Sequence, residues 1–168
     1  NVQYTVTEIG ENAFKDNEAI AEVRLPSSVT TLERKCFMGC SSLEKINLPS
    51  SVSLIQDAAF SGCTTLRSIA IPDAVRELGF GVFGDCSSLS SVSLGQGLHS
   101  IGYSCFENCT SLTELTCPEG LDTIQSYAFD NCTALAIVNL PSTLKTIGYG
   151  VFNKCTSLSR INIAEGNA

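Results

Sequence analysis

The sequence predicts a solenoid, mainly β with short helical turns, built from seven repeats of 23 residues with no insertion or deletion between them. The first observation behind this is a column of phenylalanines, one per period: Phe14, Phe37, Phe60, Phe83, Phe106, Phe129 and Phe152. The second is that seven further columns recur in the same register and are apolar almost throughout. Their one exception is Asn17, which heads a column continued by Cys40, Cys63, Cys86, Cys109, Cys132 and Cys155. The third is the period itself, which belongs to stacked-repeat architectures, where each unit buries its apolar face only against its neighbours. The repeats are expected at 6–28, 29–51, 52–74, 75–97, 98–120, 121–143 and 144–166, within a single domain spanning 1–168.

Each repeat divides into two elements. In the first half the inward residues are spaced by three and four, as in Leu98, Ile101, Cys105, Cys109 and Leu112, which is a helical spacing. The glycine that follows the isoleucine or leucine in several repeats (Gly10, Gly79, Gly102, Gly148) limits any helix to one or two turns. In the second half the period becomes two, as in Val23 with Leu25 and Val138 with Leu140, which predicts a strand. Pro26, Pro49, Pro72, Pro118 and Pro141 then end it, because proline has no N–H to give to a ladder. Strands that recur every 23 residues on one side pair in parallel, so these second-half strands are expected to form one seven-stranded sheet. The polar turn before each strand (Ser41-Ser42, Ser87-Ser88, Thr110-Ser111, Thr156-Ser157) is expected to stack its hydroxyls in register.

Composition narrows the function classes. A net charge of −7 and a pI near 4.6 argue against nucleic acid or an anionic membrane surface as partner and favour proteins or neutral glycans. No run of 18 apolar residues and no charged, apolar, cleavable leader is legible. The chain starts at Asn1 and neither end carries an obvious polar capping repeat, which fits a fragment of a longer protein. Each of the nine cysteines stands in an inward column, which fits small buried hydrophobes with free thiols. Spacing alone also permits bridges between neighbouring repeats. Free thiols imply a reducing or anaerobic setting.

The motif C-[ST]-[SA]-L-x-x-[VIL]-x-[LI]-P followed by V-x-x-I-G-x-x-A-F resembles the BspA-like, treponeme-type leucine-rich repeat family, and the resemblance runs from Val6 to Gly166. It implies a right-handed curved solenoid with a parallel sheet on its concave face. It further implies surface-exposed or secreted proteins of anaerobic bacteria and some protists, some of them adhesins. The chain departs from the common leucine-rich repeat in lacking an asparagine ladder after the strand, where it has Ser28, Ser51, Ala74, Gly97, Gly120, Thr143 and Gly166.

Two surfaces are candidates for binding. The outward strand positions are Glu22 and Arg24, Lys45 and Asn47, Ser68 and Ala70, Ser91 and Ser93, Glu114 and Thr116, Ile137 and Asn139, and Arg160 and Asn162. Charges are mixed at both ends and side chains are small in the middle, a pattern that serves a ligand or a merely solvated face. Phe80, Tyr103 and Tyr149 share one column and Tyr127 lies one place on, which fits an aromatic anchor or packing on the adjacent turn.

Catalysis and metal binding find little support. His99 is the only histidine and its column is otherwise polar or charged, while Cys105 faces inward. The i, i+4 pairs Cys36/Cys40 and Cys105/Cys109 face the core and supply two of the four ligands zinc requires. No phosphate-cradling glycine loop and no HExxH motif occurs, and no cofactor is expected. Two N-C-T sequons, at Asn108 and Asn131, matter only in a eukaryotic secretory route. The sequence therefore points to a non-catalytic binding module, with a structural spacer as the alternative.

Overall fold

The computed structural model describes residues 5–166. Each coil carries two strands: β1 (Glu8–Ile9) and β2 (Glu22–Arg24), β3 (Thr31–Leu32) and β4 (Lys45–Asn47), β5 (Leu54–Ile55) and β6 (Ser68–Ala70), β7 (Glu77–Leu78) and β8 (Ser91–Ser93), β9 (Ser100–Ile101) and β10 (Glu114–Thr116), β11 (Thr123–Ile124) and β12 (Ile137–Leu140), and β13 (Thr146–Ile147) and β14 (Arg160–Ile163). The result is a parallel β-solenoid. Partner residues on neighbouring coils are always 23 apart, as in Ile9 with Leu32 and Val138 with Ile161.

Two expectations are corrected. The continuous seven-stranded sheet is made by the first-half strands, in the order β1-β3-β5-β7-β9-β11-β13. The second-half strands form a separate wall whose ladder is divided into β2-β4, β6-β8 and β10-β12-β14. The second correction concerns the helical turns: among the described residues there is no helix. Each first-half strand leads instead into a chain of tight turns. In the first coil the amides of Ala13, Lys15 and Asn17 close onto the carbonyls of Gly10, Asn12 and Phe14, three residues back. The alternate amides of Asn12, Phe14 and Asp16 reach the carbonyls of Arg34, Cys36 and Met38 on the next coil. Closure over three residues brings side chains three and four apart to one side, so the inward spacing imitates a helix.

Two backbone columns make these turns. Asn12, Lys35, Ala58, Gly81, Ser104, Tyr127 and Gly150 all lie in the left-handed region, and so do Asp16, Gly39, Gly62, Asp85, Asn108, Asn131 and Lys154, with φ between 50° and 75°. No β-branched residue stands in either column, as that conformation demands. Asn, Asp and Gly, which enter it most readily, fill most of the second.

The interior is one continuous cluster. The phenylalanines stack face to face along its axis, Phe60 on Phe83 at 5.4 Å with 1° between planes and Phe83 on Phe106 at 5.2 Å with 12°. Phe37, Phe60, Phe83, Phe106 and Phe129 are fully buried, whereas Phe14 in the first coil is 38% exposed and Phe152 in the last is half-buried.

The cysteine column has a specific reason to be cysteine. Each thiol donates to the phenylalanine carbonyl of the preceding coil: Cys63 to Phe37, Cys86 to Phe60, Cys109 to Phe83 and Cys132 to Phe106, all at 3.2 Å. The same carbonyls accept the amide three residues on in their own coil, as Phe60 does from Cys63. An apolar side chain would fill this space but leave the carbonyl's second lone pair unused. Asn17, in the first coil, turns its Oδ1 to the amides of Ala19 and Ile20 at 3.1 and 3.2 Å. All nine cysteines are buried free thiols. Burial pushes the Cys36, Cys86 and Cys117 thiols up to about 12 and raises the others as well.

Hydroxyl stacking takes a form other than hydroxyl on hydroxyl. Thr65 and Ser111 donate to the backbone carbonyls of Ser41 and Ser87, each at 2.7 Å, which ties these polar turns to the coil before them.

Candidate functional site

The outer face of the second wall collects the outward strand residues into two parallel rows. Strand register places Glu22 beside Lys45, Ser68 beside Ser91, and Ile137 between Glu114 and Arg160. The second row sets Arg24 beside Asn47, Ala70 beside Ser93, and Asn139 between Thr116 and Asn162. All are exposed except Ile137 and Asn139, which are half-buried.

The rows differ in chemistry along the axis. At the first end Arg24 Nε donates to Glu22 Oε1 at 3.0 Å within its own strand. Asn47 uses both ends of its amide on the backbone of the previous coil: Oδ1 accepts from the Leu25 amide at 2.9 Å and Nδ2 donates to the Leu25 carbonyl at 3.2 Å. Asn47 thus continues the ladder with a side chain. At the other end Asn162 Nδ2 donates to Asn139 Oδ1 at 2.7 Å, and Asn139 Nδ2 donates to Thr116 Oγ1 at 3.1 Å and Glu114 Oε1 at 3.2 Å. These last bonds hold Glu114, Thr116, Asn139 and Asn162 to one another. In the middle, Ser68, Ala70, Ser91 and Ser93 leave the strands close to solvent.

The middle is also where the ladder breaks. The strand pairs β4/β6 and β8/β10 are neighbours without ladder bonds between them. The Ile71 amide reaches the Ser93 carbonyl at 2.8 Å and that of Cys117 reaches Asn139 at 2.9 Å, but Leu48 and Leu94, in the same column, make no corresponding bond among the described residues. A shallow groove bordered by Ser91, Val92, Thr113, Glu114 and Thr116 runs along the β8/β10 seam.

The aromatic residues sit on the turn corner between the walls. Phe80, Tyr103 and Tyr149 are 58, 54 and 76% exposed. Phe80 and Tyr103 occupy adjacent coils. Tyr127 packs edge-on against Tyr149 with ring centroids 5.5 Å apart. The four are therefore split into two pairs by Ser126, whose Oγ accepts the Tyr149 amide at 3.1 Å.

The remaining candidate residues lie elsewhere on the solenoid. His99 is exposed, with Nδ1 2.9 Å from the Gly120 carbonyl, while Cys105 is buried. Among the described residues no group of three or more His, Cys, Asp or Glu side chains is placed to hold a metal, and no helix is long and apolar enough to cross a membrane. Asn108 and Asn131 belong to a ladder that sequence reasoning missed. Asn131 Nδ2 donates to Asn108 Oδ1 at 2.9 Å, and Asn108 Nδ2 to Asp85 Oδ1 at 2.7 Å. The signal for it was the recurrence of Asp, Gly and Asn just before five of the six cysteines of the Cys40 column, which marks the left-handed turn column.

Uniform coils, a shared interior and an outer face that changes from coil to coil define a β-solenoid repeat protein. Within that class the chain belongs to the BspA-type leucine-rich repeat family: the model for the BspA type leucine rich repeat region matches residues 1–95 and 79–168. Among solved structures it is similar to the T. pallidum leucine rich repeat protein TpLRR, at 37% identity and a TM-score of 0.82 over 84% of this chain and 69% of that one. It also shares its fold with a leucine rich cell surface protein from Faecalibacterium prausnitzii, at 19% identity and a TM-score of 0.54 over 96% of this chain and 70% of that one. The pneumococcal vaccine antigen PcpA matches at 20% identity and a TM-score of 0.66 over 94% of this chain and 56% of that one. No curated protein matches the chain.

Proposed function

We propose that the chain is a non-catalytic binding module, a single repeat domain of a cell-surface or secreted protein, that recognises a protein or glycan through the outer face of the second wall. One observation carries this reading: the outward rows are irregular in charge and size while the columns behind them are uniform. Strands hold those side chains in fixed register, and the Thr116, Asn139 and Asn162 row is held further by its own hydrogen bonds. The small residues of β6 and β8 let a ligand reach the backbone at the ladder breaks. The description of the Faecalibacterium prausnitzii relative as a cell surface protein supports the location. The fold is compatible with an anaerobic host, since its thiols are buried and unbridged.

Capture of partners by the purified chain from host-matrix proteins and from a glycan array, repeated with Lys45→Glu, Glu114→Lys and Arg160→Glu combined, tests the reading. A partner held by the parent chain and lost by the folded triple variant supports it. Equal capture by both, or no partner in either screen, contradicts it, and the latter result favours a structural spacer.

A further inference from the structure

We propose that the turn corner around Gly81 is a site for the guanidinium group of an arginine side chain on a protein partner. A hollow of about 180 Å³ lies there, bordered by Phe80, Gly81, Gly84, Asp85, Glu107 and Asn108, and Phe80 is one of the exposed aromatic residues. Its floor exists because two side chains are missing. A Cβ built on Gly81 meets nothing within 4 Å, and one on Gly84 touches only backbone, at 3.4 Å or more.

The last two coils show what such a corner accepts. Gly150 is the equivalent of Gly81, and there the ring of Tyr127 from the coil before occupies the space, with Cε1 2.8 Å from where a Cβ would be. The residue that corresponds to Tyr127 beside Gly81 is Ala58, which is too short to cover it. The carboxylates of neighbouring coils, compared one coil apart, differ as well. Asp130 receives Lys154 of the next coil, with Nζ 3.9 Å from Oδ2, and an amide bond from Asn153 to Oδ1 at 2.7 Å. Glu107 stands in the column of Asp130, but the residue in the place of Lys154 is the neutral Asn131, whose amide goes to Asn108. Among the described residues neither Glu107 nor Asp85 meets a cation, and Asp85 uses only Oδ1, for Asn108.

One end of the molecule thus fills its corner with a flat ring and pairs its carboxylate with a cation of its own, whereas the corner at Gly81 is open and is bordered by two carboxylates, exposed Asp85 and half-buried Glu107, that meet no cation among the described residues. A guanidinium supplies both properties at once. It is planar, stacks on an aromatic face, and forks its donors onto carboxylates, which an ammonium does not do. The acidic charge of the chain attracts such a partner in the first place. The site lies on the turn corner, apart from the outward rows of the second wall, so its failure leaves the proposed function untouched.

The test is a residue-resolved NMR titration of the whole chain with acetyl-Gly-Arg-Gly-amide, alongside its citrulline and lysine counterparts and methyl glucoside. The expected result is saturable shifts centred on the amides of Phe80, Gly81, Gly84 and Asn108 with the arginine peptide, weaker with lysine and absent with citrulline. Glu107→Gln is expected to weaken binding at least about tenfold. Ala58→Tyr, which copies Tyr127 in its own column, is expected to abolish it. Should Ala58→Tyr fail to fold, Glu107→Gln decides alone. Arginine shifts spread evenly over the acidic surface, citrulline or methyl glucoside matching arginine, or binding indifferent to Glu107→Gln would overturn the proposal.

Discussion

The two walls of the solenoid are built from strands of the same direction and the same 23-residue step, yet one ladder runs unbroken through seven strands and the other is cut twice. The unbroken wall has strands of two residues, and the interrupted wall has strands of three or four. Strand length therefore does not decide continuity. The walls share the interior: Ile9, Leu32 and their successors face the same phenylalanine column as Val23, Ile46 and theirs. The fold is held by burial in that column, which makes backbone pairing on one side dispensable at two seams.

The largest expected effect breaks what the walls have in common. Phe83→Ala removes a fully buried ring stacked on both sides and is expected to cost about 3–5 kcal/mol in urea unfolding, with probes on both walls melting together. Phe14→Ala, at an exposed position stacked on one side only, is expected to cost less than half as much. Wall probes that melt apart after Phe83→Ala would show the walls to be independently stabilised.

The interior also sets an alkaline limit. The Cys36, Cys86 and Cys117 thiols stand at an ordinary 9.0 when unfolded and are raised to about 12 in the fold by burial. Between those values the unfolded chain has lost protons that the folded chain keeps. Stability is therefore fully present below 9.0 and is lost as pH rises towards 12. The urea midpoint is expected to be lower at about one pH unit above the ordinary thiol value than at about one unit below it. A midpoint that rises instead would contradict the buried-thiol column. A smaller effect comes from Cys86→Val, which keeps the packing but removes the S–H donor to the Phe60 carbonyl, at an expected cost of roughly 1 kcal/mol. Least of all, Ser91→Ala on the second wall is expected to change stability by less than about 0.5 kcal/mol, because its hydroxyl faces solvent.

Much of this architecture is legible in the sequence alone. The phenylalanine and cysteine columns announce the stacking axis, and period two at Val23 and Leu25 announces the second-half strands. The first half reads as helix because consecutive three-residue turns place Ala13, Phe14 and Asn17 on one side as a helix would. The left-handed columns carry the missing information in Asp16, Gly39, Gly62, Asp85, Asn108 and Asn131, because Gly, Asn and Asp are the residues that enter the left-handed region most readily. The ladder breaks leave no such trace, because Leu48 and Leu94, which lack a bond, are of the same type as Ile71, which has one. On the outer face of the second wall, strand register locates the outward residues, but the bonding of Asn47 to the Leu25 backbone and of Asn139 to Thr116 depends on side-chain geometry that spacing does not encode.

Native-state hydrogen exchange measured one amide at a time tests the central claim most directly, that the first ladder is continuous and the second is cut. Slow exchange is predicted at Gly102 and Gln125 on the first wall, bonded to the Leu78 and Ile101 carbonyls at 2.8 and 2.9 Å, and at Ile71 and Cys117 on the second. Faster exchange is predicted at Leu48 and Leu94, where the second ladder is cut. Uniform protection of Leu48, Ile71, Leu94 and Cys117 would show a second wall as continuous as the first and contradict the claim.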